Sequence, residues 1–152
     1  MAQYIDDDDV AAVMKTGVRD ALYTDTVNGS VNSAALTLSY KMASHVARNA
    51  ANNAGYGLDD DDTPGNASIS VKFLTLTVWL RMAFGRGGES PPEDLLNLVQ
   101  GFLEATWVGD IPLVDEALDE VIGVGGITST EADDPEVDGA ILTVTTGLED
   151  LV

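Results

Sequence analysis

Cysteine is absent from this chain of 152 residues. No disulfide, thiol nucleophile or thiolate metal site is therefore available to it. Histidine occurs once, at His45. Long apolar runs are lacking as well. The most apolar stretch, Ile69 to Phe84, is interrupted by Lys72 and Arg81 and is too short and too charged to span a bilayer. The first ten residues hold the run Asp6 to Asp9 instead of a basic stretch followed by an apolar one, so no secretory signal is expected. The most informative absence is positive charge beyond Arg86. Residues 1–86 carry ten acids and seven bases, a net of −3, whereas residues 87–152 carry sixteen acids and no base, a net of −16. A direct grip on nucleic-acid phosphates needs clustered Lys and Arg and is not expected. The acidic half suits a solvated, solubilising face, a surface that stays off nucleic acid, or one that meets a basic partner.

What is present is a core. Hydrophobic residues make up 45% of the chain, too many for compositional disorder despite the net charge of −19. The length suits one compact domain, residues 1–113, with an acidic extension, residues 114–152.

The fold class expected is mainly α: a small bundle of about four to five helices with an extended C-terminal arm containing a β-strand. A short helix is read at Asp6 to Met14, with aspartates favouring its N-terminus and Gly17 ending it. Residues 24–30 form a loop by composition. A long helix follows from Asn32 to Asn53, with Ala35, Leu38, Met42 and Val46 inward, Lys41, Arg48 and Asn52 opposite, and Gly55 as its stop. Tyr56 to Ala67, with Asp59 to Asp62 and Pro64-Gly65, is a second loop.

Ser68 to Phe84 alternates as a strand does, yet Ile69, Phe73, Leu76, Leu80 and Phe84 also fit one helical stripe. Its length exceeds the usual strand of roughly 5–6 residues, which decides for a helix buried on most of its surface. Gly85 to Gly88 is a turn. Ser90-Pro91-Pro92-Glu93 reads as a helix start, with Ser90 as N-cap and Glu93 completing a capping box. Leu95, Leu98, Val99, Phe102 and Leu103 point inward, and Gly109 closes the helix. Val114 to Ile122 forms one more short helix. Gly123 to Asp138 is read as extended or mobile. Ala140 to Thr146 is read as a strand, with Ile141 on one side and Leu142 and Val144 on the other, in need of a partner from this chain or a neighbour.

Chemistry-bearing patterns are weak. His45 has no acid three or four residues away and reads as a partly buried or interface histidine. No serine stands in a nucleophile elbow. Asp59 to Asp62 lacks the alternate ligand spacing and the downstream bidentate Glu of a calcium loop. Gly85-Arg86-Gly87-Gly88 lacks the Gly-Lys-Ser/Thr ending of a phosphate loop. No catalytic residue, cofactor or metal is assigned. Lys72, Arg81, Arg86, Trp79, Trp107, Ile141, Leu142 and Val144 are the candidate interaction residues. The cations suit helix ends or acids of an adjacent subunit, and the tryptophans suit core or interface anchors.

The order of features resembles one family. It runs from Tyr4-Ile5-Asp6-Asp7-Asp8-Asp9-Val10 through Gly17 and Thr24-Asp25 to an Ala-rich helix ending in Gly55-Tyr56-Gly57-Leu58. Pro64 follows, then a helix ending Trp79-Leu80-Arg81-Met82-Ala83-Phe84-Gly85-Arg86, then Pro91-Pro92-Glu93 and Gly109-Asp110-Ile111-Pro112-Leu113. Over residues 4–113 this is similar to the head–tail adaptor (connector, or head-completion) proteins of tailed bacteriophages. The resemblance implies a mainly helical virion protein of the neck, with no catalytic residue or cofactor. It implies a dodecameric ring beneath the portal protein that extends the DNA channel and docks a stopper or tail protein. Packaged DNA would pass through without specific binding. The charge pattern, and not the resemblance, gives an orientation: the base-free segment from Gly87 onward would face that channel or a basic neck partner, while Lys72, Arg81 and Arg86 would hold subunits or portal. A different class, an acidic DNA mimic that binds a DNA-handling protein, also accounts for the charge. A protein adapted to high salt, or a calcium buffer, is a third reading.

Overall fold

The computed structural model describes residues 1–125, and the chain divides into two units, Met1–Val114 and Asp115–Val152. Six helices are present among the described residues: α1 (Asp7–Ala11), α2 (Thr16–Leu22), α3 (Ser33–Asn53), α4 (Ile69–Gly85), α5 (Glu93–Thr106) and α6 (Val114–Gly125). The protein is mainly α, as its sequence predicts. No strand occurs among the described residues beyond an isolated antiparallel bridge between Thr24 and Val31. The expected strand, with Ile141, Leu142 and Val144, lies outside the described residues.

The aspartate run is a helix N-terminus. Asp6 accepts from the backbone of Asp8 and Asp9, and the Asp9 carboxylate accepts from the Asp6 amide in return. This closes a capping box with acids at the positive end of the helix dipole. The helix stops sooner than the sequence suggests, and Gly17 does not terminate it. Gly17 instead lies inside α2, a seven-residue helix that buries none of its residues. With no apolar stripe, α2 has no periodic signal to read.

α4 is the central element and packs against both α3 and α5. Ser68 caps it through the Val71 amide. It is buried on most of its surface, as expected, including Leu74, Leu76, Val78, Trp79 and Leu80. Trp79 is fully buried and donates its indole N–H to Ser39 Oγ at 2.9 Å. Tyr23 stacks on its ring at 6.3 Å, and Tyr40 lies tilted against it at 5.8 Å.

α3 buries a different face from the one its large side chains suggest. Its inward residues are Leu36, Ser39, Tyr40, Ala43, Ser44, Val46, Ala47, Ala50 and Ala51. Leu38 and Met42, expected inside, are 55% and 39% exposed. Small side chains facing α4 leave room for Trp79 and its aromatic neighbours, so the packed stripe is poor in Leu and Met. α5 likewise buries Val99 and Leu103, while Leu98 and Phe102 stay largely exposed. Its cap also differs from expectation: Pro92 is the N-cap, and no side chain caps the helix. Pro92 keeps Pro91 out of the helical region, so the helix starts two residues too late for Ser90 to reach it. α6 runs through Gly123 to Gly125, which were expected to be extended. A glycine in a helix costs about 1 kcal/mol without ending it.

The first residues are threaded into this frame. Tyr4 is fully buried, and its amide donates to Ser44 Oγ at 2.9 Å. Its hydroxyl donates to the Asp59 carbonyl at 2.7 Å, and the Gln3 amide donates to the Asp62 carbonyl. Ala2, Tyr4 and Val71 form a small cluster flanked by Leu58, Ala67 and Trp107. The second aspartate run is thus a backbone platform for the N-terminal segment.

Burial pushes the Tyr4 phenol up to about 12. The folded state then holds a proton that the unfolded state releases near pH 10. Stability should be flat below that value and fall as pH rises from about 10 to 12. Tyr4→Phe should cost about 1 kcal/mol at neutral pH through the lost hydrogen bond, and it should shallow the alkaline fall. Urea unfolding across a pH series measures both effects.

Candidate interaction surfaces

Arg19, Arg48 and Lys72 are ion-paired within the chain. Lys72 Nζ lies 2.8 Å from Asp9 Oδ1, with both side chains more than four-fifths buried. Arg19 bridges Asp7 at 3.0 Å and Asp20 at 2.6 Å. Asp7 also accepts from the Tyr40 hydroxyl, whose pKa is raised by burial and then by that carboxylate. Arg48 reaches Asp60 at 3.7 Å and the Leu58 carbonyl at 3.3 Å. Three bases therefore pin the two aspartate runs to the helices behind them.

The expected interaction residues separate accordingly. Lys72 is engaged inside the fold, and Trp79 is sealed in the core, so neither presents a surface to a partner. The mixed pattern around Trp79 hid this, because an apolar helix without a polar face does not reveal which side is outward. Trp107 is half-buried beside the N-terminal cluster and packs edge-on against Tyr56 at 5.0 Å. Arg81 is half-buried on α4. Arg86, just past α4, is exposed, with its guanidinium 4.5 Å above the Tyr23 ring. Ile141, Leu142 and Val144 lie outside the described residues. His45 is exposed and contacts Asn49 at 3.2 Å, so of the two settings expected the partly buried one does not apply.

Three apolar surfaces remain, none anticipated from the sequence. The first is a groove of about 290 Å³ lined by Ala35, Leu38 and Met42 of α3, Met82 of α4, Tyr23 and Arg86. The Tyr23 hydroxyl is buried there without a hydrogen-bond partner. The second surface lies across α4 and α5. Phe73 stacks on Phe102 at 5.1 Å, with Ile69 and Leu98 exposed nearby, one turn away on each helix. Glu93 and Asp94 stand exposed at the start of α5.

The third surface is the loop after α5, where Val108 is 87% and Leu113 71% exposed. Tyr56 holds this loop through hydrogen bonds from its hydroxyl to the Val108 and Asp110 carbonyls at 3.2 and 3.0 Å. Gly109, between them, has φ +98°, and a Cβ there would collide with the Tyr56 hydroxyl.

No group of three or more His, Cys, Asp or Glu side chains arranged to hold a metal occurs among the described residues. No described helix is long and apolar enough to cross a membrane. Comparison with protein-family models, curated proteins and solved structures returns no match.

Gly109→Ala should destabilise the chain by roughly 1–3 kcal/mol, since it adds a strained backbone to a steric collision. Gly101→Ala, on the exposed side of α5 with nothing within 4 Å, should instead stabilise by about 0.5–1 kcal/mol. Paired chemical denaturation curves give the two signs.

Proposed function

We propose that this chain is a structural protein of the tailed-phage neck. In this reading it is a head–tail adaptor that forms a ring beneath the portal, extends the DNA channel and docks the stopper or tail protein. Its place is the virion, after assembly in the host cytoplasm. The reading rests on the order of sequence features that resembles that family. The observation that supports it best is the amount of apolar side chain left uncovered on a small helical frame, on three separate surfaces. Patches of this kind mark protein–protein contact. A ring subunit has several neighbours to cover them: the next subunit on each side, the portal above and the neck component below.

The charge pattern supports the same reading. Residues 87–152 contain no base. A surface drawn from them repels a phosphate backbone, which suits DNA that must slide without sticking. Arg19, Arg48 and Lys72 hold acids of residues 1–86, and the sixteen acids of residues 87–152 have no base in their own segment.

Mixed with the portal protein of its own phage, the full-length chain should co-sediment with portal rings and appear as an added ring by electron microscopy. Particles made without it should fail to join tails. No association with portal, together with normal tail joining in its absence, would remove the proposal. Competition with duplex DNA for a nuclease or repressor would instead favour the DNA mimic.

A further inference from the structure

We propose that the α3–α4 groove docks a short acidic, amphipathic segment of a partner protein, with apolar side chains in the groove and a carboxylate at Arg86. The inference concerns this groove alone and does not rest on the neck reading.

The walls are apolar and adaptable. Leu38 and Met42, one turn apart on α3, are 55% and 39% exposed, and half-buried Met82 lines the same groove from α4. Two of the chain's four methionines therefore meet here. Unbranched thioether side chains reshape around incoming apolar groups and are over-used at surfaces that receive amphipathic helices. A volume of about 290 Å³ lies at the lower end for ligand sites and suits a few side chains better than a cofactor.

The charge around the groove selects an acidic occupant. α3 and α4 contain no Asp or Glu, in a chain with 26 acids. Of their bases, Arg48 and Lys72 are paired with Asp60 and Asp9. Lys41, exposed one turn from Leu38, enters no salt bridge among the described residues, and neither does Arg86, one turn past Met82. The acids closest in sequence to Tyr23 and Arg86 leave this charge standing: Asp20 is engaged by Arg19, and Glu89 forms no salt bridge among the described residues. The Arg86 guanidinium lies 4.5 Å above the Tyr23 ring. Stacking fixes its plane and leaves its N–H edge open to a carboxylate, which it can hold through parallel hydrogen bonds. The Tyr23 hydroxyl is buried in this seat without a hydrogen-bond partner. Ser39 Oγ, in the same groove, is committed to the Leu36 carbonyl and the Trp79 indole. A polyanion or an anionic membrane would meet the whole net charge of −19, whereas a segment with a few carboxylates meets the rim alone.

Methyl-labelled methionine in the full-length chain reads the groove directly, since Met42 and Met82 line it and Met1 and Met14 do not. The probe is a short helical peptide with leucines at i and i+4 flanked by Glu, together with its twin in which every Glu is Lys. The Glu peptide should shift the Met42 and Met82 signals, leave Met14 in place and bind on the order of tenfold more tightly than the Lys twin. Arg86→Glu, checked by circular dichroism, should reverse the preference between the twins. Lys41→Glu, at an exposed position, should weaken the Glu peptide and carries the charge test if Arg86→Glu loses helicity. Equal binding of the twins, tighter binding of the Lys twin, no shift at Met42 and Met82, or an unchanged preference in the folded charge variants would each overturn the proposal. So would Met42 and Met82 signals that move with protein concentration alone, which would give the groove to a second copy. Signals that respond to octanoate and not to the Glu peptide would give it to a small amphiphile and overturn the proposal as well. Portal binding enters none of these readouts, so the neck reading stands or falls separately.

Discussion

Trp79 is the constraint on which the rest of the described unit depends. A ring of that size in the middle of α4 requires a partner helix with little bulk opposite it, and α3 supplies Ser39, Ala43 and Ala47 on its buried side. Its indole N–H needs an acceptor once it is out of water, and Ser39 provides one. Tyr23 and Tyr40 then fill the flanks. Each of these carries the architecture outward. Tyr40 reaches Asp7 and, through it, Arg19, so the N-terminal aspartate run and α2 are tied to the core. Tyr23 supports Arg86 and floors the groove between α3 and α4.

This arrangement explains how so acidic a chain folds. The two aspartate runs are each given a structural task and a cation. The first closes a capping box and engages Arg19 and Lys72. The second offers backbone carbonyls to Tyr4 and Gln3 and a carboxylate to Arg48. Bases are scarce, so those used here are unavailable to neighbours. That narrows the cations left for contact to exposed ones such as Arg86 and Lys41.

The helical class, the boundaries of α3 and α4, and the burial of α4 were legible in the sequence because they follow from length, capping residues and bulk hydrophobicity. Helix orientation was not. In α3 the inward stripe is mostly Ala and Ser, and of the expected face Val46 is buried while Leu38 and Met42 face out, so a reading that equates bulk with burial turns the helix by about a third of a revolution. The same error placed Leu98 and Phe102 inside α5. These misreadings share a physical source: large apolar side chains stay exposed on both helices, and bulk alone does not say which face a helix buries. The pairing of Lys72 with Asp9, 63 residues away in sequence, also depends on tertiary approach that no local spacing encodes. Arg86, read as a helix-end cation, is exposed just past α4, but its support by the Tyr23 ring could not be foreseen.

The most direct test of the Trp79-centred account is native-state hydrogen exchange on the Trp79→Phe variant. The substitution keeps an aromatic ring at the site but removes three ring atoms, the bond to Ser39 and part of the contact with Tyr23 and Tyr40. The account predicts that protection falls together in α3, in α4 and at the capped amides of Asp8 and Asp9, because one buried group holds all three. Reduced protection in α3 and α4 with the α1 amides unchanged would contradict it.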